Sequence, residues 1–235
     1  MVLFNDRVDA GRQLAEVLER FRDDDVIVLG LPRGGVPVAA EVATALHAPL
    51  DVLVVRKLGV PGEPELAMGA IGEEGVRMLN PRVLALAAVT ESQLDQVESR
   101  EREVLAARVA ELRRGQPRLD LTGRTALIVD DGVATGATAQ VACRVARLLG
   151  AEKVVLAAPV IAADTVSELG RTRPGARATR SVARIPVGGA DEVAFVSAPF
   201  GFAAVGQYYR DFAATEDTEV TALLDHARRR HSENG

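Results

Sequence analysis

Apolar positions along the chain follow two rhythms: short continuous runs of strand length, and stripes recurring every three or four residues. The runs Val26 to Leu29, Leu50 to Val55, Ala126 to Val129 and Lys153 to Ala158 predict strands buried on both faces, the pattern of a parallel sheet. Helical stripes lie between them. Leu14, Val17, Leu18 and Phe21 define a first helix with Asp6 or Asp9 as its cap, and Thr138 to Leu149 define a later one stopped at Gly150. Strand, turn and helix alternate, which predicts an α/β fold in which helices flank a parallel sheet.

The stretch from Gly59 to about Gly115 interrupts that alternation. Connections in compact α/β units commonly take only about 2 to 6 residues, so this one predicts a structured insertion. It opens with a flexible-looking Gly59-Val60-Pro61-Gly62-Glu63-Pro64. A hairpin over Glu65 to Leu79 follows, with Met68, Ala70 and Ile71 facing Val76 and Met78 across Gly72-Glu73-Glu74-Gly75. Thr90 to Arg114 then predicts one long charged helix, opened by a Thr90-Glu91-Ser92-Gln93 capping box and carrying a Glu98-Arg102 pair.

Chemistry concentrates where predicted strands end. Ala126 to Val129 run into Asp130 and Asp131 and then into Thr135-Gly136-Ala137-Thr138, a small turn opening a helix. Unpaired N–H groups and the positive dipole end make such a turn an anion cradle. A pentose 5-phosphate suits both features. Its phosphate can lie in the turn while its ring hydroxyls donate to the two carboxylates, with a divalent cation such as Mg2+ offsetting the remaining charge. Val26 to Leu29 run in the same way into Gly30-Leu31-Pro32-Arg33-Gly34-Gly35-Val36-Pro37, with Pro37 suited to a first helical turn. Arg56 and Lys57 follow the strand Leu50 to Val55, so three strands are expected to deliver polar groups to one edge.

The segment Asp130-Asp131-Gly132-Val133-Ala134-Thr135-Gly136-Ala137-Thr138 resembles the signature of the type I phosphoribosyltransferases. Gly132 stands where an aliphatic residue is commoner, and Ala137 where a second Gly or Ser often stands. The resemblance implies a Rossmann-related core over residues 1–170, including the insertion 59–115, with residues 171–235 forming a small hood and completing the core. It implies a binding site for 5-phosphoribosyl 1-diphosphate (PRPP) built from Asp130, Asp131, Ala134, Thr135, Gly136, Ala137 and Thr138. It assigns the pyrophosphate to Arg33, Gly34, Gly35, Arg56 and Lys57, often through a cis peptide, and a loop of the insertion to covering the substrate. Arg33, Lys57, Asp130 and Asp131 become the catalytic candidates, with Mg2+ as cofactor and a nitrogenous acceptor of unassigned identity. A homodimer contact on the long helix is a further reading of the insertion. Relatives acting on 6-oxopurines place an acid/base Asp at the position of Ala134, so that proton carrier is missing here.

Composition sets bounds on these readings. The chain has 235 residues, 48% hydrophobic and 26% charged, as in an ordinary globular protein. No stretch approaches the roughly 18 apolar residues of a membrane span, no signal core opens the chain, and Cys143 is alone, so a reducing cytoplasm is expected. A net charge of −5 argues against nucleic acid as partner. Phe195, Phe200, Phe202, Tyr208, Tyr209 and Phe212 crowd the carboxyl third, as a nucleobase wall or, the simpler reading, a small hydrophobic core. His47, His226 and His231 read as solvated or structural. Two other activities stay open: a PRPP-sensing regulator without turnover, and a magnesium-dependent phosphatase using the Asp pair.

Overall fold

The computed structural model describes residues 2–169, 179–187 and 190–234. Helix α1 (Arg7–Leu18) leads into strand β1 (Val26–Gly30), helix α2 (Gly35–Ala45) and strand β2 (Leu50–Val52). An insertion follows, comprising strands β3 (Val55–Val60), β4 (Glu63–Gly72) and β5 (Arg77–Leu79), then helices α3 (Pro81–Leu86) and α4 (Glu91–Arg113). The core resumes with β6 (Thr125–Val129), α5 (Ala137–Leu148), β7 (Lys153–Val160) and α6 (Ala163–Leu169). Strands β8 (Thr179–Val187) and β9 (Ala190–Ser197) and helix α7 (Asp217–Asn234) complete it.

The main sheet runs in the order β2-β1-β6-β7-β9-β8, with five parallel strands and β8 antiparallel at one edge. Every residue of β1 is buried, and its side chains divide between the two faces. Val26 and Val28 join Leu14, Leu18 and Val42 on the α1–α2 side, while Ile27 and Leu29 join Cys143, Val145 and Ala146 of α5. From β1 the chain builds outward to β2 in one direction and to β6 and β7 in the other. The order therefore reverses between β1 and β6, and a crevice opens at the carboxyl ends of those two strands.

The insertion departs from expectation in one respect. The predicted strand Leu50 to Val55 stops at Val52, and Val55 begins β3 in a separate antiparallel sheet of order β3-β4-β5. Residues 59–64, expected as a flexible loop, instead end β3, turn at Pro61-Gly62 and begin β4. Gly59 makes the turn tight: a Cβ there would lie 2.5 Å from the carbonyl oxygen of Pro64. The expected hairpin is present, with Ala70 opposite Met78, and β3 adds a third strand to it. Helix α4 has the expected capping box between Thr90 and Gln93 and the Glu98–Arg102 pair at 2.7 Å.

One buried cluster joins this insertion to the core. Arg113, at the end of α4, meets Asp51 of β2 at 2.6 Å and Glu73, just after β4, at 3.0 Å. It also donates to the Val52 carbonyl, while Asp51 accepts from the Leu119 amide and Glu73 from the Val54 amide. All three charged side chains are at least nine-tenths hidden, so each depends on the others to balance its charge away from water.

At the carboxyl end, Phe4, Ala10, Val160, Tyr208 and Tyr209 form a small core that binds the amino terminus to the segment after β9. Phe195 is buried in β9, whereas Phe200 is 87% exposed. The simpler reading of the aromatic group thus describes Tyr208 and Tyr209. His47, His226 and His231 are all exposed. The boundary expected between residues 170 and 171 lies outside the described residues. Among those residues, no helix is long and apolar enough to cross a membrane.

Candidate functional site

Two loops meet at the reversal point. After β6 the chain crosses the sheet edge, with the Asp130 amide donating to the Ala157 carbonyl at 3.2 Å and the Val133 amide to the Val160 carbonyl at 2.9 Å. Gly136 then takes a left-handed conformation, φ 72°, which starts α5 at Ala137. The Thr165 hydroxyl donates to the Ala134 carbonyl and holds the turn from below. The result is a cavity of about 170 Å³ lined by Asp130, residues 132–139 and Val205. Thr135, Ala137 and Thr138 are exposed along it. Gly132 fits only because it has no side chain: a Cβ would lie 2.4 Å from Cγ1 of Val205.

The loop after β1 lies against the first. The Leu31 amide donates to the Val129 carbonyl at 2.9 Å, and the Pro32–Arg33 peptide is cis. Gly34 and Gly35 permit the close approach. A Cβ on Gly34 would stand 2.0 Å from Oδ2 of Asp131, and one on Gly35 would stand 2.6 Å from the Val129 carbonyl oxygen. Arg33 points outward and is exposed, close enough to Asp217 at the start of α7 to help hold that carboxyl below its usual range, behind the larger contribution of Arg108.

Arg56 and Lys57 sit on β3 rather than at the end of a core strand. Two further cavities, of about 400 and 700 Å³, share Val55, Arg56 and Thr138 in their walls. Pro32, Leu53 and Val104 line the first; Lys57, Gly62 and Arg100 line the second. Both candidate cations have partners within the chain. Arg56 donates to Glu101 of α4 at 2.6 Å, and Lys57 meets Glu65 at 3.1 Å. The structure therefore gathers Asp130, residues 132–138, Arg56 and Lys57 around clefts that share Thr138 in their walls, while Arg33, Gly34, Gly35 and Asp131 line none of the three.

Charge in the acidic pair is unevenly balanced. Burial, reinforced by the neighbouring charge of Asp131, pushes the Asp130 carboxyl up to about 7, against smaller opposing contributions from the Asp131 amide and Arg7. Burial also raises Asp131, opposed by Arg7. Burial raises the Tyr209 phenol as well, with the two carboxylates adding to the effect. Sequence reasoning missed Arg7, Glu101 and Val205. Nothing in the local pattern marks Arg7, which reaches Asp131 across 124 positions at 2.9 Å.

The donor set offers a partial magnesium site. No group of three metal-ligating side chains occurs among the described residues, but the Asp130 carboxylate borders the small cavity under the turn, while the Asp131 carboxylate is paired with Arg7. That chemistry fits a hard cation which keeps several waters and phosphate oxygens as ligands.

Residues 6–174 match the family model of the phosphoribosyl transferase domain. The chain belongs to the phosphoribosyl transferase family. Two Mycobacterium tuberculosis proteins, MT0597 and Rv0571c, which carry provisional phosphoribosyl transferase names, are each 53% identical over all 235 residues. The chain spans only 49% of the length of either. The crystal structure of TT1426 from Thermus thermophilus superposes with a TM-score of 0.79 at 42% identity, covering 95% of this chain and 98% of that one. The five parallel strands and flanking helices are thus the phosphoribosyl transferase fold of type I, and the family supports a transferase. It gives no support to the phosphatase reading.

Proposed function

We propose that the chain binds PRPP and transfers its ribose 5-phosphate to a nitrogen nucleophile with release of pyrophosphate. The observation that carries this reading is the contact of two strand-end loops, Gly34 and Gly35 against Asp130 and Asp131, at the reversal point of the sheet. The 5-phosphate lies in the turn from Thr135 to Thr138, where backbone N–H groups at the start of α5 and two hydroxyls donate to an anion. Asp130, on the wall of the same small cavity, accepts hydrogen bonds from the ribose hydroxyls. The diphosphate then extends toward the Pro32 to Gly35 backbone and toward Arg56 and Lys57.

As the C1–O bond breaks, its electron pair leaves with the diphosphate and positive charge grows on the ribose ring. Arg56 and Lys57 stabilise the departing charge from fixed positions, and Arg33 adds a cation at the cleft's outer side. Asp130 holds the sugar so that C1 faces the acceptor nitrogen. Asp130, with the substrate's own oxygens, would hold a magnesium ion, whose charge would further neutralise the diphosphate. Ala134 offers no acid/base group, so the acceptor must lose its proton to solvent or to the leaving diphosphate.

A second reading, PRPP binding without turnover, draws on the engagement of Arg56 and Lys57 by Glu101 and Glu65. One experiment separates the two. Ligand at about 100 times its dissociation constant adds roughly 2.7 kcal/mol to folding stability, so magnesium with PRPP should raise the melting temperature. Pyrophosphate release with any member of a panel of nitrogenous bases and amines then identifies the transferase. Stabilisation without release identifies the sensor, and an unchanged melting temperature removes both.

A further inference from the structure

The two neighbouring carboxylates do not face the same way. Asp130 lines the small cavity under the turn; Asp131 does not. Nε and Nη2 of Arg7 both stand 2.9 Å from Oδ2 of Asp131, and the two side chains are only 12% and 15% exposed. Arg7 is itself fixed twice more. Its Nη1 donates to the Ala213 carbonyl at 2.7 Å, and its guanidinium lies 3.9 Å above the ring of Phe212. The Tyr209 hydroxyl donates to the Asp131 carbonyl at 2.5 Å, so both polar ends of Asp131 are engaged by distant parts of the chain. On its remaining side stands Gly34, where any Cβ would fall 2.0 Å from Oδ2.

Resting on the function proposed above, we infer that the pair is divided: Asp130 alone accepts the ribose hydroxyls, and Asp131 is the receptor of a clamp in which Arg7 is a positioning residue. Through Asp131 the clamp fixes the loop after β6 against Gly34 of the loop after β1, so the phosphate turn and the pyrophosphate loop keep one spacing. Arg7 suits this role because its planar fork can meet a carboxylate, a carbonyl and a ring at once. Lysine would keep the charge and lose that geometry.

The test is calorimetric titration of the full chain with magnesium and PRPP, well below the melting temperature, using Asp130→Asn, Asp131→Asn, Arg7→Gln and Arg7→Lys. Asp130→Asn removes a charged acceptor from the sugar and should weaken binding by about 10- to 100-fold, the range expected for charge-assisted hydrogen bonds. Asp131→Asn still accepts from Arg7 and should cost several-fold less. Arg7→Gln should weaken binding about tenfold, with Arg7→Lys between it and wild type, and Arg7→Gln should add little further loss in a chain carrying Asp131→Ala, which leaves Arg7 no carboxylate to meet. Asp131→Asn as damaging as Asp130→Asn, or Arg7→Gln that lowers the melting temperature with affinity unchanged, overturns the division while PRPP binding stands. Wild-type protein that takes no PRPP overturns the functional reading and the division together.

Discussion

At the scale of single residues, the acidic pair governs how the site responds to pH. Asp130 titrates near 7 in the folded chain, against 3.8 without its surroundings, because burial and Asp131 disfavour its charge. The folded state therefore holds an extra proton between about pH 4 and 7, and the stability of the ligand-free protein falls as pH rises through that window. Affinity for PRPP moves the opposite way, since the ribose hydroxyls require the anion. Titration calorimetry with magnesium present should show affinity rising by up to about tenfold per unit below pH 7 and levelling above it. Asp130→Asn should flatten that dependence, and a slope that survives the substitution would place the titrating group elsewhere. The residue types of the site were legible because carboxylates, small residues and hydroxyls stood in one short segment. Arg7 was not, since its partner is fixed only by tertiary packing across 124 positions.

Among elements, the insertion shows what local pattern reveals and where it stops. The capping box of α4 and the β4–β5 hairpin were readable because both are made by neighbours in sequence. Strand β3 was hidden. Val55 continues an apolar run, so nothing local marks the two residues, Leu53 and Val54, at which the chain leaves one sheet for another. Gly59, Pro61 and Gly62 suggested slack, yet they serve a close turn whose spacing only the paired strands define. The Asp51–Glu73–Arg113 cluster sits at that transfer. Removing one member of a buried ionic group typically costs about 3 to 5 kcal/mol, because the partners are left unpaired away from water. Arg113→Ala should therefore destabilise the chain by that order in chemical denaturation. A loss of under about 1 kcal/mol would mean that water reaches Asp51 and Glu73.

On the scale of the whole molecule, the site depends on segments far apart in the chain. The amino terminus and the segment after β9 are joined through Phe4 and Tyr209, whose rings lie 5.2 Å apart, and that segment also supplies Val205 to the phosphate turn. The parallel core and its reversal point followed from apolar periodicity, whereas this closure depends on contacts that no window of sequence contains. Gly132→Val should cost about 1 to 3 kcal/mol in thermal denaturation, the usual range for overpacking, through its clash with Val205. Adding Val205→Ala should restore much of the loss, and two penalties that simply add would show the clash is relieved in another way.

Gly132 and Val205 divide one volume between them, and that has an evolutionary consequence. A homologue that acquires a bulkier side chain at the motif position must surrender bulk at the later one, so the two sites should mutate in step. Their covariation would record that the motif and the carboxyl segment fill one shared space beside the pocket.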